Sequence, residues 1–203
     1  MLYAGDRQEN TVKYLSLSVA FITFLLSLLL YAQFDTTTHT MQFVEKTAWI
    51  ESFNINYHLG VDGIGLPLIL LTTFTTVLVI LAGWEVIETR VSQYMAAFLI
   101  LTGFMNGVFV ALDAMLFYFF WEAMLIPMFL IIGIWGGPNR VYATVKFFLY
   151  TLLGSVLMLI AIVVIYQFTN SMSIKELQGN YFTTNAQLYL WLAFFAANHK
   201  IFK

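Results

Sequence analysis

The chain has 203 residues, of which 61% are hydrophobic and only 10% are charged, whereas an ordinary soluble domain is about 25% charged. This composition excludes a soluble globular protein and indicates an integral membrane protein. The net charge of −2, with lysines and arginines scattered along the chain, also argues against nucleic-acid binding, for which a basic patch is typical.

Long apolar segments define the predicted elements, because a bilayer-spanning helix needs about 20 mostly apolar residues. In chain order, we predict spans at residues 12–34, 64–83, 92–112, 114–136 and 141–166, and an incomplete sixth span at 187–203. The first run exceeds the usual 7–15 residues of a signal-peptide core, so we interpret it as a permanent span. The predicted fold class is therefore all-α: a polytopic transmembrane helix bundle forming a single membrane domain, residues 1–203.

The connections between the spans carry two further predictions. Residues 35–62 form the longest polar connection, and apolar side chains alternate there at Phe53, Ile55, Tyr57 and Leu59. A period of two predicts a short strand or hairpin on the membrane surface. Because cytoplasmic loops are enriched in Lys and Arg, the distribution of these residues places the N-terminus and the loop before Arg140 in the cytoplasm and residues 35–62 outside.

Redox chemistry is not expected in this chain. It has three histidines and no cysteine, and none of the histidines falls inside an interior span. Fe–S clusters are held mainly by cysteine, and haem needs an axial His, Met, Cys or Tyr. We therefore predict no cofactor and no metal site in this chain.

Glu122 lies inside the fourth predicted span, eight residues from one end and fourteen from the other. At a rise of 1.5 Å per residue, it is about 12 Å and 21 Å from the two ends, too deep for its side chain to reach water comfortably. Such a charge costs on the order of 2.5–3.5 kcal/mol and usually faces a bundle interior or a hydrated cavity. We interpret Glu122 as a proton-relay residue. The alternative is a protonated glutamate that only bonds neighbouring helices.

Pro127 follows Glu122 by five residues and is predicted to break the helix. A proline has no N–H to offer the carbonyl of Ala123, and its ring crowds that oxygen. Ordered water is one of the groups that satisfy such a carbonyl in a membrane helix. Water beside a carboxylate would favour proton transfer, although many membrane prolines only bend their helix.

Lys146 is a second interior charge, roughly 8 Å from the end of the fifth predicted span. Its long side chain can reach the interface, so snorkelling and proton relay both stay open. Glu122 and Lys146 differ in depth by about 13 Å on the same arithmetic, which argues against a direct ion pair. Lys200, in the incomplete sixth span, is a third candidate relay residue.

Two sequence blocks carry a family resemblance: YHLGVDGIGLPLILLTTF at 57–74 and FYFFWEAMLIPMFLIIGIWGGPNRVYATVKFFLYTLLGSVLML at 117–159. Over nearly its whole length the chain resembles the chain M family of bacterial proton-pumping NADH:quinone oxidoreductase (complex I), the counterpart of mitochondrial subunit 4. The resemblance implies that Glu122 is the central relay carboxylate and Lys146 a conserved interior charge. It also implies a place in the bacterial inner membrane beside other membrane-arm subunits, while NADH, FMN, Fe–S clusters and quinone are used elsewhere in the complex.

The sequence departs from the family pattern at both ends, and the resemblance therefore implies a truncated chain. The family has a further N-terminal helix, and after Ala197 the expected pattern is replaced by NHKIFK, so that Lys200 lies one position from the expected lysine. Two alternatives stay open at this point. One is a subunit of a multisubunit cation/proton antiporter or membrane-bound hydrogenase, and the other is a non-functional or purely structural fragment.

Overall fold

The computed structural model describes residues 9–177 and 183–198, and helices dominate this part of the chain. Five helical segments are long and apolar enough to cross a membrane, one of them formed by two consecutive helices. A two-stranded sheet lies between the first and the second segment. The predicted fold class, a helical membrane bundle with a hairpin, is confirmed. The elements are α1 (Glu9–Gln33), β1 (Gln42–Ile50), β2 (Ile55–Val61), α2 (Gly65–Val86), α3 (Val91–Val110), α4 (Ala114–Ala123), α5 (Leu125–Trp135), α6 (Arg140–Thr169), α7 (Ile174–Leu177) and α8 (Thr184–Asn198).

Helices α1, α2 and α3 pack around a common core. Ile80 and Met95 are fully buried there, and Val12, Ala20 and Val91 complete the cluster. Large apolar side chains also cover the outside of the bundle, as at Leu26 and Leu71, which are 59% and 60% exposed. Because lipid tails are as apolar as leucine, such an outer surface is stable in a bilayer.

The predicted hairpin forms at one end of the bundle, which we call the hairpin end. Strands β1 and β2 are antiparallel, and Lys46 lies directly opposite His58. The alternation predicted for this segment holds only in part. Phe53 lies in a 3-10 turn at Glu51–Phe53, before β2 begins, and Tyr57 is 40% exposed while Ile55 is buried. The register therefore buries the two ends of β2 and leaves its middle at the surface.

Residues 111–113, between α3 and α4, are extended and join three parts of the chain. The amide of Leu112 donates to the carbonyl of His58 at 2.9 Å, and the carbonyl of Leu112 accepts from the amide of Ile174 at 3.0 Å. The amide of Ala114 donates to the carbonyl of Met172 at 2.8 Å. These bonds tie the start of α4 to the hairpin and to the segment after α6.

Asp113 caps α4 and is only 1% exposed. Its Oδ1 accepts from the amides of Met115 and Leu116, and its Oδ2 accepts from the amide of Asn56 at 3.2 Å. Burial raises the pKa of this carboxyl above its ordinary value, although these bonds oppose the shift. Burial also lowers the pKa of the nearby His58. One acidic side chain thus fixes both the first turn of α4 and the adjoining strand.

Asp113→Ala is expected to destabilise the hairpin end by about 0.5–2 kcal/mol, the usual range for losing a helix cap, because the amides that it caps stay buried. Asp113→Asn keeps one oxygen for the α4 amides and is expected to cost less, since Asn caps as well as Asp. The stability of both variants is measured as the midpoint temperature at which this chain dissociates from the isolated membrane complex. Glu88→Ala, at an exposed loop carboxylate, is the control, and equal midpoints for Asp113→Ala and Glu88→Ala would contradict the capping role.

Candidate functional site

The fourth membrane segment is interrupted in its middle. Helix α4 ends at Ala123 and α5 begins at Leu125, with Met124 between them. Pro127 lies in the first turn of α5 and is buried. Since it lacks an N–H, it cannot donate to the carbonyl of Ala123. The Ala123 carbonyl, next to Glu122, therefore lacks its usual helical donor, while the amides of Met124 and Met128 still donate to the carbonyls of Phe120 and Met124.

Glu122 occupies the last turn of α4, and its Oε1 is buried without a hydrogen-bond partner among the described residues. Tyr118 lies one turn earlier on the same helix face, as expected for a spacing of four. The Tyr118 hydroxyl lies near both the Glu122 carboxylate and the Ser155 hydroxyl of α6. Ser155 is 1% exposed and donates to the carbonyl of Leu152 at 2.9 Å. A carboxylate, a phenol and an alcohol thus meet between α4 and α6.

This cluster lies deep in the bundle. Glu122 is thirteen residues before Trp135 at the end of α5, and Ser155 is fifteen residues after Arg140 at the start of α6. At 1.5 Å per residue, these separations correspond to about 20 Å and 22 Å. The two side chains therefore share one depth, far from the loop at 136–139. A carboxylate at this depth can take up or release a proton only through its immediate neighbours or through water.

Lys146 is exposed on α6, and the structure does not bring it to Glu122. Its Nζ lies 5.8 Å from the ring centroids of both Tyr142 and Tyr150, one turn before and one turn after it. Lys146 precedes Ser155 by nine residues, which is a rotation of about 180° at 3.6 residues per turn. The lysine therefore lies on the face of α6 opposite to the one that meets α4.

Sequence reasoning selected Glu122 but missed Tyr118 and Ser155. The spacing of four between Tyr118 and Glu122 was available as a signal, because such residues are neighbours on a helix surface. Ser155 could not be found in that way, since its place beside Glu122 depends on how α4 and α6 pack. Lys200 lies outside the described residues, so its predicted role is not tested.

Comparisons with known proteins give the family. A family model described as "NADH-ubiquinone oxidoreductase chain 4, amino terminus" matches residues 8–111, just over half of the chain. The chain belongs to the NADH-ubiquinone oxidoreductase chain 4 family. A second model, described as "NADH:quinone oxidoreductase/Mrp antiporter, TM", matches residues 111–201. This family member is therefore a multi-pass membrane protein, in agreement with its five membrane-spanning segments.

Individual relatives of this chain 4 family member agree with the assignment. It is 50% identical to NADH-quinone oxidoreductase subunit M of Rhodobacter capsulatus, over 96% of this chain and 40% of that protein. The structure resembles a chain of respiratory complex I from Thermus thermophilus with a TM-score of 0.82 and 27% identity, covering 91% of this chain and 38% of that one.

A chain of the Mrp complex from Dietzia sp. matches with a TM-score of 0.73 and 16% identity, over 91% of this chain and 23% of that one. This similarity shows a shared fold alone. The family member described here spans about 40% of the length of the curated relatives that it matches.

Metal binding finds no support in the part of the chain that the structure describes, where no group of three or more His, Cys, Asp or Glu side chains could hold an ion. The absence of a redox centre stays a prediction from the sequence.

Proposed function

We propose that the chain is part of a membrane-arm subunit of a proton-translocating NADH:quinone oxidoreductase, in which Glu122 relays protons. The observation that carries the proposal is the buried, unpartnered Oε1 of Glu122 beside the helix interruption at Met124. Ionisable residues at this depth in a membrane most often mark ion or proton pathways. The similarity to subunit M of Rhodobacter capsulatus supports the coupling to NADH oxidation and quinone reduction.

Three features of the site suit a proton relay. Tyr118 can donate a hydrogen bond to the ionised carboxylate, and Ser155 contacts Tyr118 from α6. Neutral hydrogen-bond donors stabilise a carboxylate without holding it permanently ionised, as a nearby cation would. Oε1 has no hydrogen-bond partner among the described residues, so no other side chain there holds this oxygen in a fixed bond. Glu122 thus acts as a station that binds one proton and releases it when its surroundings change.

The wider assignment follows from the same proposal. The partners are the lipid bilayer and other membrane-arm subunits, while NADH, FMN, Fe–S clusters and quinone belong to other chains. The membrane is the bacterial inner membrane, with α1 beginning on the cytoplasmic side and the hairpin end outside, in accordance with the distribution of positive residues.

A subunit of a cation/proton antiporter is the second candidate, because the description of the model matching residues 111–201 names the Mrp antiporter as well. The two functions differ in their partners. If a tagged copy of the chain is isolated from its native membranes, we expect NADH:quinone reductase activity to be isolated with it. In sealed vesicles that contain the isolated complex, we expect the internal pH to change when NADH is added. Isolation without that activity, together with sodium-dependent proton exchange, would favour the antiporter.

We propose that Lys146 lies on the outer face of α6 and does not exchange protons directly with Glu122. Lys146→Gln is therefore expected to lower NADH-driven proton pumping by no more than about twofold, because Lys146 lies on the face of α6 opposite to Ser155 and its contacts are with Tyr142 and Tyr150. Lys146→Arg, which keeps the charge, serves as the matched control and is expected to pump normally. Complete loss of pumping in Lys146→Gln, with normal assembly of the complex, would show that Lys146 belongs to the relay itself.

A further inference from the structure

The hairpin end carries an extended face that joins basic and apolar side chains. Residues 111–113 pair with β2 on one side and with residues 172–174 on the other, antiparallel in both cases. Residues directly opposite one another in antiparallel strands project from the same face. Four side chains therefore form one row across the four extended segments, the cross-strand row: Lys46, His58, Leu112 and Ile174.

A cavity of about 380 Å³ lies against the cross-strand row, and its polar lining can donate hydrogen bonds. The polar residues that line it are Lys175, His39, His58 and Thr40, and none of its described lining residues is acidic. A lysine ammonium, a histidine ring N–H and a threonine hydroxyl can each donate to a phosphate oxygen. Lys46 lies directly opposite His58 and adds a further positive charge. The cavity is therefore suited to an anionic group.

Asp113 is an acidic side chain close to this cavity, and its charge acts on His58. Successive side chains of an extended segment point to opposite faces, so Asp113 projects away from the face that carries Leu112. Its oxygens accept from three backbone amides. The carboxylate thus serves the cap of α4 and leaves the basic lining of the cavity to another anion.

A second cavity, of about 260 Å³, continues the same face into the bundle. Ile174 lines both cavities, and every residue that lines the second one is apolar, including Phe117 and Phe194. Ile162, also in its wall, lies seven residues before α6 ends at Thr169, which is about 10 Å along the helix. Apolar cavities stay dry, and about 150 Å³ already holds a benzene molecule. The second cavity can therefore hold part of a hydrocarbon chain.

We propose that the two cavities together bind one anionic phospholipid. Its phosphate contacts Lys175, His58 and Thr40, and one acyl chain enters the apolar cavity. This orientation matches a bilayer, because the basic residues lie at the surface with the hairpin and the apolar cavity lies deeper. Basic pockets between membrane helices are typical sites for anionic lipid headgroups.

The paired cavities also distinguish a phospholipid from simpler occupants. A free phosphate ion would leave the apolar cavity unfilled, and a purely apolar occupant would not use the donors of the first cavity. Only an amphipathic anion uses both. The inference concerns the hairpin end and does not depend on the proton relay of Glu122.

Photolabelling of the intact membrane complex tests this site. The isolated complex is placed in phosphatidylcholine vesicles that contain a trace of phosphatidylglycerol with a diazirine in one acyl chain. A second sample carries the same diazirine on phosphatidylcholine, whose headgroup has no net charge, and mass spectrometry locates the label. We expect phosphatidylglycerol to label residues of the apolar cavity, such as Phe117 and Phe194, at least about fivefold more, since one basic residue near an anionic lipid is worth about that factor.

Three variants complete the experiment. Lys175→Gln removes a basic side chain from the lining and is expected to lower labelling by phosphatidylglycerol about fivefold, with labelling by phosphatidylcholine unchanged. Arg90→Gln is the matched control, because it removes a positive charge from the exposed loop between α2 and α3, at the other end of the bundle. Ile165→Trp places a larger side chain in the apolar cavity and should lower labelling by both lipids. Lys175 is exposed, so its variant should assemble even where Ile165→Trp does not.

Equal labelling of the apolar cavity by the two lipids in the unsubstituted complex would overturn the proposal, because the basic residues would then select nothing. The same conclusion would follow if Lys175→Gln were labelled like Arg90→Gln. A lack of label at Phe117 and Phe194, as expected where another subunit fills the cavities, would also overturn it.

Discussion

Replacing Glu122 with glutamine is expected to lower NADH-driven proton pumping by at least about tenfold, since losing a positioned acid or base typically costs roughly 10²–10⁴-fold in rate. Glutamine has nearly the same shape and can still bond to Tyr118, so the packing between α4 and α6 should survive. What it cannot do is bind and release a proton. The measurement is the rate of proton uptake by vesicles containing the purified complex, with quinone reduction followed in the same sample.

The control for this experiment is Glu88→Gln, which neutralises an exposed glutamate between α2 and α3 and should leave pumping unchanged. Normal levels of the chain in the isolated complex would show that Glu122→Gln assembles. Undiminished pumping by Glu122→Gln under these conditions would show that Glu122 only joins the helices, which is the alternative that the sequence left open.

Gly107→Ala is expected to destabilise the bundle by about 1–3 kcal/mol, the usual cost of overpacking a core. Gly107 is buried, and a Cβ there would lie 2.7–2.8 Å from three ring atoms of Phe120. The ring would have to move, and with it the part of α4 that carries Glu122 two residues later. The midpoint of thermal dissociation of the chain from the complex should fall, and pumping should fall with it.

Gly103 provides a matched control on the same helix, since a Cβ at this position meets nothing within 4 Å. Gly103→Ala is expected to raise stability by about 0.5–1 kcal/mol, because glycine is unfavourable inside a helix. A second check is Phe120→Leu, which should relieve the contact and restore part of the stability of Gly107→Ala. If Gly107→Ala and Gly103→Ala shift the midpoint in the same direction, the close contact of α3 with α4 is not as the structure describes it.

The membrane segments could be predicted from the sequence because each depends on local composition. A run such as LLSLLLY in α1 is apolar whatever it packs against, and a helix satisfies all the backbone hydrogen bonds of such a segment within the segment itself. The hairpin was predictable for a similar reason, as a period of two between polar segments is itself local. Its burial pattern was not, since the contacts of β2 with residues 111–113 decide which side chains are covered.

The candidate site could be predicted only in part. The depth of Glu122 follows from counting residues, and the spacing to Pro127 is visible in the sequence. In contrast, the contact of Tyr118 with Ser155 depends on the rotation of α6, which also turns Lys146 to the opposite face. The proposed lipid site gave no signal in the sequence, because its basic and apolar residues are far apart in the chain until the extended segments pair.

The central claim is that Glu122 changes its protonation while the complex turns over. Infrared difference spectroscopy of the intact complex, recorded with and without NADH and quinone, measures this directly through the C=O stretch of protonated carboxyl groups. We expect a turnover-dependent carboxyl band that is present in the unsubstituted complex and missing in Glu122→Gln. An identical band pattern in the two complexes would contradict the account, because Glu122 would then keep one protonation state throughout the cycle.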